Sequence, residues 1–125
     1  MRIRERMLEG MVERRLEAEL KEARQANDVA TVARLEVTLE DEELFYVTCA
    51  SLVGKMNEYG NWVESVIEFF KYLLENMDEI MGIINMIINL FNAKHKLSTV
   101  QLSKLNQAGA APEEIDINSM GAIGA

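Results

Sequence analysis

Residues 62–93 of the chain read WVESVIEFFKYLLENMDEIMGIINMIINLFNA, the segment from which the main helix of the fold is predicted. Its polar or small residues recur at spacings that alternate between four and three, at Glu64, Glu68, Lys71, Glu75, Asp78, Gly82, Asn85, Asn89 and Asn92. A sustained 3.5-residue repeat is typical of a helix in a left-handed coiled bundle. The pattern predicts one long helix over Trp62–Ala93, about 32 residues and roughly 48 Å long at 1.5 Å per residue.

The second half of this stretch is apolar outside the polar repeat. Every position from Ile80 to Ala93 that lies off the repeat carries an apolar side chain. Such a helix must be covered by other helices or by lipid, because each large side chain left in water forgoes roughly 1.5–3 kcal/mol of burial. We therefore expect an oligomeric bundle whose interface contains Ile80, Ile83, Ile84, Met86, Ile87, Ile88, Leu90 and Phe91.

The polar positions of the apolar half, which we call the polar seam, are Gly82, Asn85, Asn89 and Asn92. Two interpretations are open. In the one we favour, the seam is the solvent-facing stripe of a helix packed on both flanks. In the other, it is a ladder of buried amides at a symmetry axis. Each buried amide would then need hydrogen-bond partners or lose about 1–3 kcal/mol, and a satisfied ladder would set register and subunit number.

A membrane segment is the alternative to a buried bundle helix. Residues 80–93 carry no formal charge, and carboxylates precede them while lysines follow. As a helix they reach about 21 Å, against about 30 Å for a bilayer core. Extension toward the N-terminus adds carboxylates that each cost roughly 2.5–3.5 kcal/mol near the bilayer centre. The sequence therefore favours the bundle, and a pore-forming or translocation protein with the polar seam facing its lumen is the alternative.

The N-terminal part of the chain predicts a helical hairpin. Its apolar residues recur at a mean spacing close to 3.6 over residues 3–26, the mark of an amphipathic helix. Asn27 and Asp28 interrupt the pattern, and Asp28 is a favourable N-cap for a second helix over residues 29–57.

Residues 34–48 fit either a helix or a β-hairpin. Arg34–Leu39 alternates with period two, and Leu44–Thr48 is rich in strand-favouring residues. The connector Glu40–Glu43, however, has no glycine or asparagine for a tight turn, and its four carboxylates would repel one another there. We prefer the helix.

The composition changes after His95. Ser98 is a candidate cap for a short helix through Asn106, and the chain then breaks at Ala108–Pro112. The remaining low-complexity tail is expected to be flexible alone and to bind a neighbouring subunit. Its expected contacts are Ile115, Ile117, Met120 and Ile123. The predicted organisation is a helical domain over residues 1–96, followed by the short helix and partner-binding tail over residues 97–125.

The composition indicates one small acidic domain. The chain has 125 residues and a net charge of −8, and positions 16–93 hold five basic residues against fifteen acidic ones. A field of this sign repels phosphate, so we expect no nucleic-acid partner. No apolar core of a secretory signal follows the charged N-terminus, which predicts a cytoplasmic or virion location.

No residue pattern predicts an active site. His95, the single histidine, lies between two lysines at the predicted helix end, where a cation complements the helix dipole. Cys49 is the single cysteine and lies in a hydrophobic stretch, as an inert core thiol does. The acidic run Glu40–Glu43 lacks the alternating ligands and central glycine of a calcium loop. We expect neither catalysis nor a cofactor or metal site.

These patterns together favour a structural or assembly protein that forms a homo- or hetero-oligomeric helical complex, of the type found in virions and secretion apparatus. A membrane-active protein that inserts Ile80–Phe91 is one alternative. A small acidic chaperone or adaptor that presents a methionine-rich groove to another protein's helix is a second.

Overall fold

The structure is a computed structural model that describes residues 3–54 and 62–115. All the regular secondary structure in these ranges is helical, which confirms the all-α prediction and the choice of helix for residues 34–48. The helices are α1 (Ile3–Gln25), α2 (Val29–Glu40), α3 (Glu42–Gly54), α4 (Trp62–Glu75), α5 (Met77–Ala93) and α6 (Thr99–Gln107).

Two helices begin at the caps that the sequence predicts. Asp28 accepts a hydrogen bond from the Thr31 N–H (3.3 Å) at the start of α2. Ser98 and Gln101 form a reciprocal capping box at the start of α6, with each side chain accepting the other's backbone N–H. A side-chain acceptor at this position satisfies an N–H that has no partner within the helix.

Three helices end through the same backbone turn. The residue just beyond the C-cap has a left-handed conformation, with φ of 57° at Asn27, 57° at His95 and 71° at Gly109. In each turn the next N–H donates to a carbonyl five residues earlier, at 2.8–2.9 Å, for the pairs Asp28–Ala23, Lys96–Phe91 and Ala110–Leu105. These bonds satisfy carbonyls that the helix itself leaves open, and they turn the chain sharply after α1, α5 and α6.

A single residue separates α2 from α3. Asp41 has an extended backbone (φ −104°, ψ 115°), and its Oδ1 accepts the Leu44 N–H at 3.0 Å. The residue therefore ends one helix and caps the next. The sequence predicts one helix over 29–57, whereas the structure has two helices within the part of that range that it describes.

The prediction of one 32-residue helix over Trp62–Ala93 is wrong. The stretch divides at Asn76, where φ is −127° and ψ is 41°, and the longest described helix is the 23-residue α1. In a continuous helix the Met77 N–H would donate to the Leu73 carbonyl. In this fold Arg15 Nε of α1 donates to that carbonyl at 2.8 Å. A tertiary contact that the local sequence does not encode thus replaces one helical bond at the break.

The core is built around α5, which contacts α2, α3 and α4. α1 packs across α2, α3 and α4, and α6 packs on α2. The fully buried side chains come from every helix, and the largest are Phe69, Leu8, Leu16, Leu35, Leu44, Leu52, Leu73, Ile80, Ile84, Ile88, Leu105 and Val12. None of the helices within residues 3–54 and 62–115 is long and apolar enough to cross a membrane.

Candidate interaction surface

Most of the predicted interface residues on α5 lie inside the fold of a single chain. Six of the eight on α5 are buried, and the segment that we expected to meet other subunits is covered by α2, α3 and α4. The buried six are Ile80, Ile84, Ile87, Ile88, Leu90 and Phe91. Ile83 is half-buried, and Met86 is 37% exposed. In this fold, therefore, Ile83 and Met86 are the only two of these eight residues that a partner could reach.

The four residues of the polar seam differ in their exposure to solvent. Gly82 is exposed, and Asn85 and Asn92 are half-buried, as a solvent-facing edge would be. Asn89, however, is 7% exposed, and its Oδ1 accepts the Glu113 N–H at 3.0 Å. The buried amide thus accepts a hydrogen bond from within the chain and ties the segment after α6 to the C-terminal half of α5.

The C-terminal segment is described as far as Ile115, which is half-buried. Ala110 is buried, and the Asn89–Glu113 bond holds this part of the predicted tail against its own chain. The other three predicted tail contacts, Ile117, Met120 and Ile123, lie outside the described residues.

A different apolar surface is open to solvent on α4. Ile67, Phe70 and Leu74 follow one another at spacings of three and four and are 56%, 53% and 54% exposed. Phe69 and Leu73, each one residue earlier and so about 100° round the same helix, are buried in the core. The helix is therefore apolar on two adjacent sides, of which one is buried and the other is half exposed.

Helix α1 packs beside this exposed row of α4. Met7 is 42% exposed and Met11 is half-buried. A groove of about 280 Å³ runs between the two helices, lined by Met11, Arg14, Arg15, Ala18, Phe70, Leu73 and Leu74. We call this surface the α1–α4 face and define it by its apolar members Met7, Met11, Ala18, Ile67, Phe70 and Leu74.

Arg15 joins the two helices that form the groove. Arg15 donates to the Leu73 carbonyl at 2.8 Å and pairs with Glu19 at 3.6 Å, so its side chain ties α1 to α4. Arg14 lines the same groove and is exposed. A long cationic side chain at a groove edge offers both an apolar stem and a charge to an approaching surface.

Glu19 of α1 forms an ion pair with Arg15 beside the groove. Burial raises the pKa of Glu19 despite the opposing effect of Arg15, and the nearby carboxylates of Glu22 and Asp78 raise it further.

Sequence reasoning missed this face, although a signal for it is present. Ile67, Phe70 and Leu74 carry the same alternation of three and four that marks the polar repeat, one position away from it. The sequence predicts the interface at Ile80–Phe91 and in the tail, and assigns none to residues 62–79. Only the packing separates the covered side from the open one.

The two residues with potentially reactive side chains, Cys49 and His95, occupy a buried position and a helix-terminal turn. Cys49 is buried, and burial followed by the charges of Glu9 and Glu13 raises the pKa of its thiol to about 12. The thiol is therefore protonated at neutral pH, a poor state for a nucleophile. His95 forms the left-handed residue of the turn that ends α5. Across the described ranges no three His, Cys, Asp or Glu side chains are grouped to hold a metal ion.

Comparisons of the chain with protein-family models, with curated proteins and with solved structures find no match.

Proposed function

We propose that the chain is a non-enzymatic assembly subunit that associates with further copies of itself through the α1–α4 face. The observation that carries the proposal is the exposure of Ile67, Phe70 and Leu74, three large apolar side chains in one row on α4. Scattered exposed apolar residues are ordinary on a protein surface, whereas a contiguous row beside a groove is typical of an interaction site.

Burial of the row would supply a useful share of the association free energy. A phenylalanine side chain buries about 150–250 Å² when fully covered. Phe70 is about half exposed, so covering the remainder removes roughly 100 Å² from water, worth about 2.5 kcal/mol. Ile67 and Leu74 flank it and are exposed to a similar degree. Central apolar residues of this kind dominate the energetics of protein interfaces.

The place of association differs from the one that the sequence suggests. Ile80–Phe91 lies largely in the monomer core, and exposing it would break the packing of α5 on α2, α3 and α4. The α1–α4 face is available without any rearrangement. The proposal therefore keeps the assembly function and moves its surface from α5 to α4.

Self-association should depend on Phe70. We expect the native mass of the wild-type chain to rise above the 14.2 kDa of the monomer as concentration increases. Phe70→Asp places a charge at the centre of the row and should shift the association midpoint by at least tenfold in concentration, or about 1.4 kcal/mol. Sedimentation over a concentration series measures this shift.

Val100→Asp is the matched control. Val100 lies on α6, is 77% exposed and undergoes the same chemical change away from the face. We expect it to associate as the wild type does. A wild-type chain that stays at 14.2 kDa throughout the series contradicts the proposal. Equal weakening by the two substitutions would mean that added negative charge, and not the face, controls association.

A further inference from the structure

The acidic run Glu40–Glu43 receives side chains from α6 and from the turn before it. Four contacts of 2.7–3.6 Å join these parts of the chain, and three of them reach the run itself. They are Gln101 Nε2 to Asp41 Oδ2, Lys96 Nζ to Glu43 Oε1, Lys104 Nζ to Glu40 Oε2 and Lys104 Nζ to Glu36 Oε1, the last one turn earlier on α2. The run that the sequence leaves without a role is therefore where α6 attaches.

Few apolar side chains hold this part of the chain. Among residues 94–115, Leu105 and Ala110 alone are buried, at 0% and 3% exposure. The Glu113 N–H adds one hydrogen bond to Asn89 of α5. By contrast, α5 buries seven of its 17 residues. Because packing of an apolar face supplies most of the stability of a protein helix, α6 is held far less strongly than α5.

Open space lies on both flanks of α6. A cavity of about 510 Å³ on one flank has Val37 of α2 in its wall, and one of about 260 Å³ on the other has Ala33. Lys104 and Gln107 of α6 line both cavities. α6 therefore rests on α2 along a narrow contact, with two buried apolar side chains of α2 beside it.

The ion pairs of α6 can be broken at small cost. Glu40 and Glu43 are 67% and 58% exposed, so both carboxylates return to water easily. Glu36 would keep its ion pair with Arg24 of α1, at 2.6 Å, after Lys104 leaves. Exposed ion pairs contribute little stability and are screened by salt.

α6 is too short to stay helical by itself. It has nine residues, and isolated helices shorter than about 12–15 residues are marginal in water. Loss of its contact with α2 would therefore open its backbone N–H groups to exchange with solvent. The packing of α5 on α2, α3 and α4 does not require α6.

We propose that residues 96–115, which we call the strap, detach from α2 and α3 as a unit while the other helices stay folded. Attachment depends on the acidic run and on Leu105, and detachment uncovers Ala33 and Val37. The strap is thus a removable cover over an apolar side of α2. The inference is separate from the proposed self-association, because α6 packs on α2 and not on the α1–α4 face.

Hydrogen exchange of the full chain at pH 7 measures the opening. We expect the amides of α6 to be protected at least about a hundredfold less than those of α5, or about 2.8 kcal/mol at 1.4 kcal/mol per factor of ten. Raising NaCl from about 0.05 M to about 1 M should lower α6 protection severalfold relative to α5, because salt screens the ion pairs. Equal protection of the two helices, or no response of α6 to salt, would overturn the inference.

Two variants separate local from global opening. Ile80→Val weakens the core outside the strap, so α5 protection should fall roughly fivefold, or about 1 kcal/mol, while α6 protection is unchanged. Leu105→Ala weakens the strap itself, so α6 protection should fall about thirtyfold, or about 2 kcal/mol. If Ile80→Val lowered the protection of both helices equally, α6 would open only when the whole chain unfolds, and the inference would be overturned.

A thiol at position 33 reports the uncovering of α2. Ala33→Cys adds one heavy atom beside a cavity of about 260 Å³, so the helix should accept it. A thiol reagent should label this cysteine in parallel with α6 exchange. The wild-type chain is the control, since its single thiol, Cys49, is buried. Labelling no faster than that of Cys49 would mean that Ala33 stays covered, against the inference.

Discussion

Glu36 on α2 forms ion pairs with residues of two other helices, α1 and α6. Its Oε2 accepts a hydrogen bond from Arg24 Nη2 of α1 at 2.6 Å, and its Oε1 lies 3.2 Å from Lys104 Nζ of α6. The bond from Arg24 lowers the pKa of Glu36 against the opposing effect of burial, and Lys104 lowers it further. The folded chain therefore binds a proton at Glu36 less readily than the unfolded chain does.

This preference makes stability depend on pH. The contribution of Glu36 is fully present above the ordinary glutamate pKa of about 4.3 and is lost as pH falls through the lower pKa of the folded state. Glu36→Gln should lower the free energy of unfolding at pH 7, and the difference from wild type should shrink below about pH 4.3. Urea unfolding at a series of pH values measures this difference.

The control for Glu36 is Glu17→Gln, at an exposed glutamate of α1. We expect it to change the free energy of unfolding little at any pH. If the Glu36→Gln difference stayed constant from pH 7 to pH 3, the effect would be one of packing and not of charge.

At the scale of the element, Asp41 decides that residues 29–54 form two helices. Its Oδ1 caps α3 through the Leu44 N–H at 3.0 Å, and its Oδ2 accepts Gln101 Nε2 of α6 at 2.8 Å. The same side chain thus sets the start of one helix and attaches another. A sequence rich in helix-compatible residues on both sides gives no hint of the break, because aspartate also occurs within acidic helix faces.

Removal of this cap should be measurable. Asp41→Ala is expected to lower the free energy of unfolding by about 1 kcal/mol or more, since an N-cap contributes 0.5–2 kcal/mol and the bond to Gln101 is lost as well. Asp41→Asn keeps an acceptor at the cap and should lose much less. Thermal unfolding of both variants gives the comparison, and equal losses would show that charge, not capping, holds the junction.

In the whole molecule, α5 is the helix on which α2, α3 and α4 pack. Ile80, Ile84 and Ile88 are at most 1% exposed, and they follow one another along a single side of the helix. The segment that looks unable to exist alone in water is therefore covered by its own chain. The described residues bury most of this segment within one chain.

This central position predicts the effect of a charge at Ile84. Ile84→Asp should unfold the chain, because an unpaired carboxylate in a packed core adds several kcal/mol to the loss of apolar burial, against a total stability of about 5–15 kcal/mol. Circular dichroism should show the loss of helix. Ile67→Asp, the same change on the exposed row, should stay folded.

A folded Ile84→Asp variant with unchanged melting would contradict the central role of α5. It would also favour the prediction from the sequence, in which this segment is covered only after subunits assemble.

The sequence by itself determined the helical class, two of the caps and the apolar character of Ile80–Phe91. These features depend on side chains close together in the chain: Asp28 and Ser98 bond to an N–H three residues away. Local chemistry of this kind can be predicted without knowing what packs where.

Only the tertiary structure decided which apolar surface is covered and which is left open. At the helix break near Asn76, the Leu73 carbonyl accepts a hydrogen bond from Arg15, which lies 58 positions earlier in the chain. Asn89 likewise accepts a hydrogen bond from Glu113, 24 positions later. Ile84 and Phe70 are both large apolar residues that lie off the polar repeat. Ile84 is nevertheless buried, whereas Phe70 is half exposed. Burial depends on the distant segments that arrive at a helix face, and no periodicity within that helix encodes them.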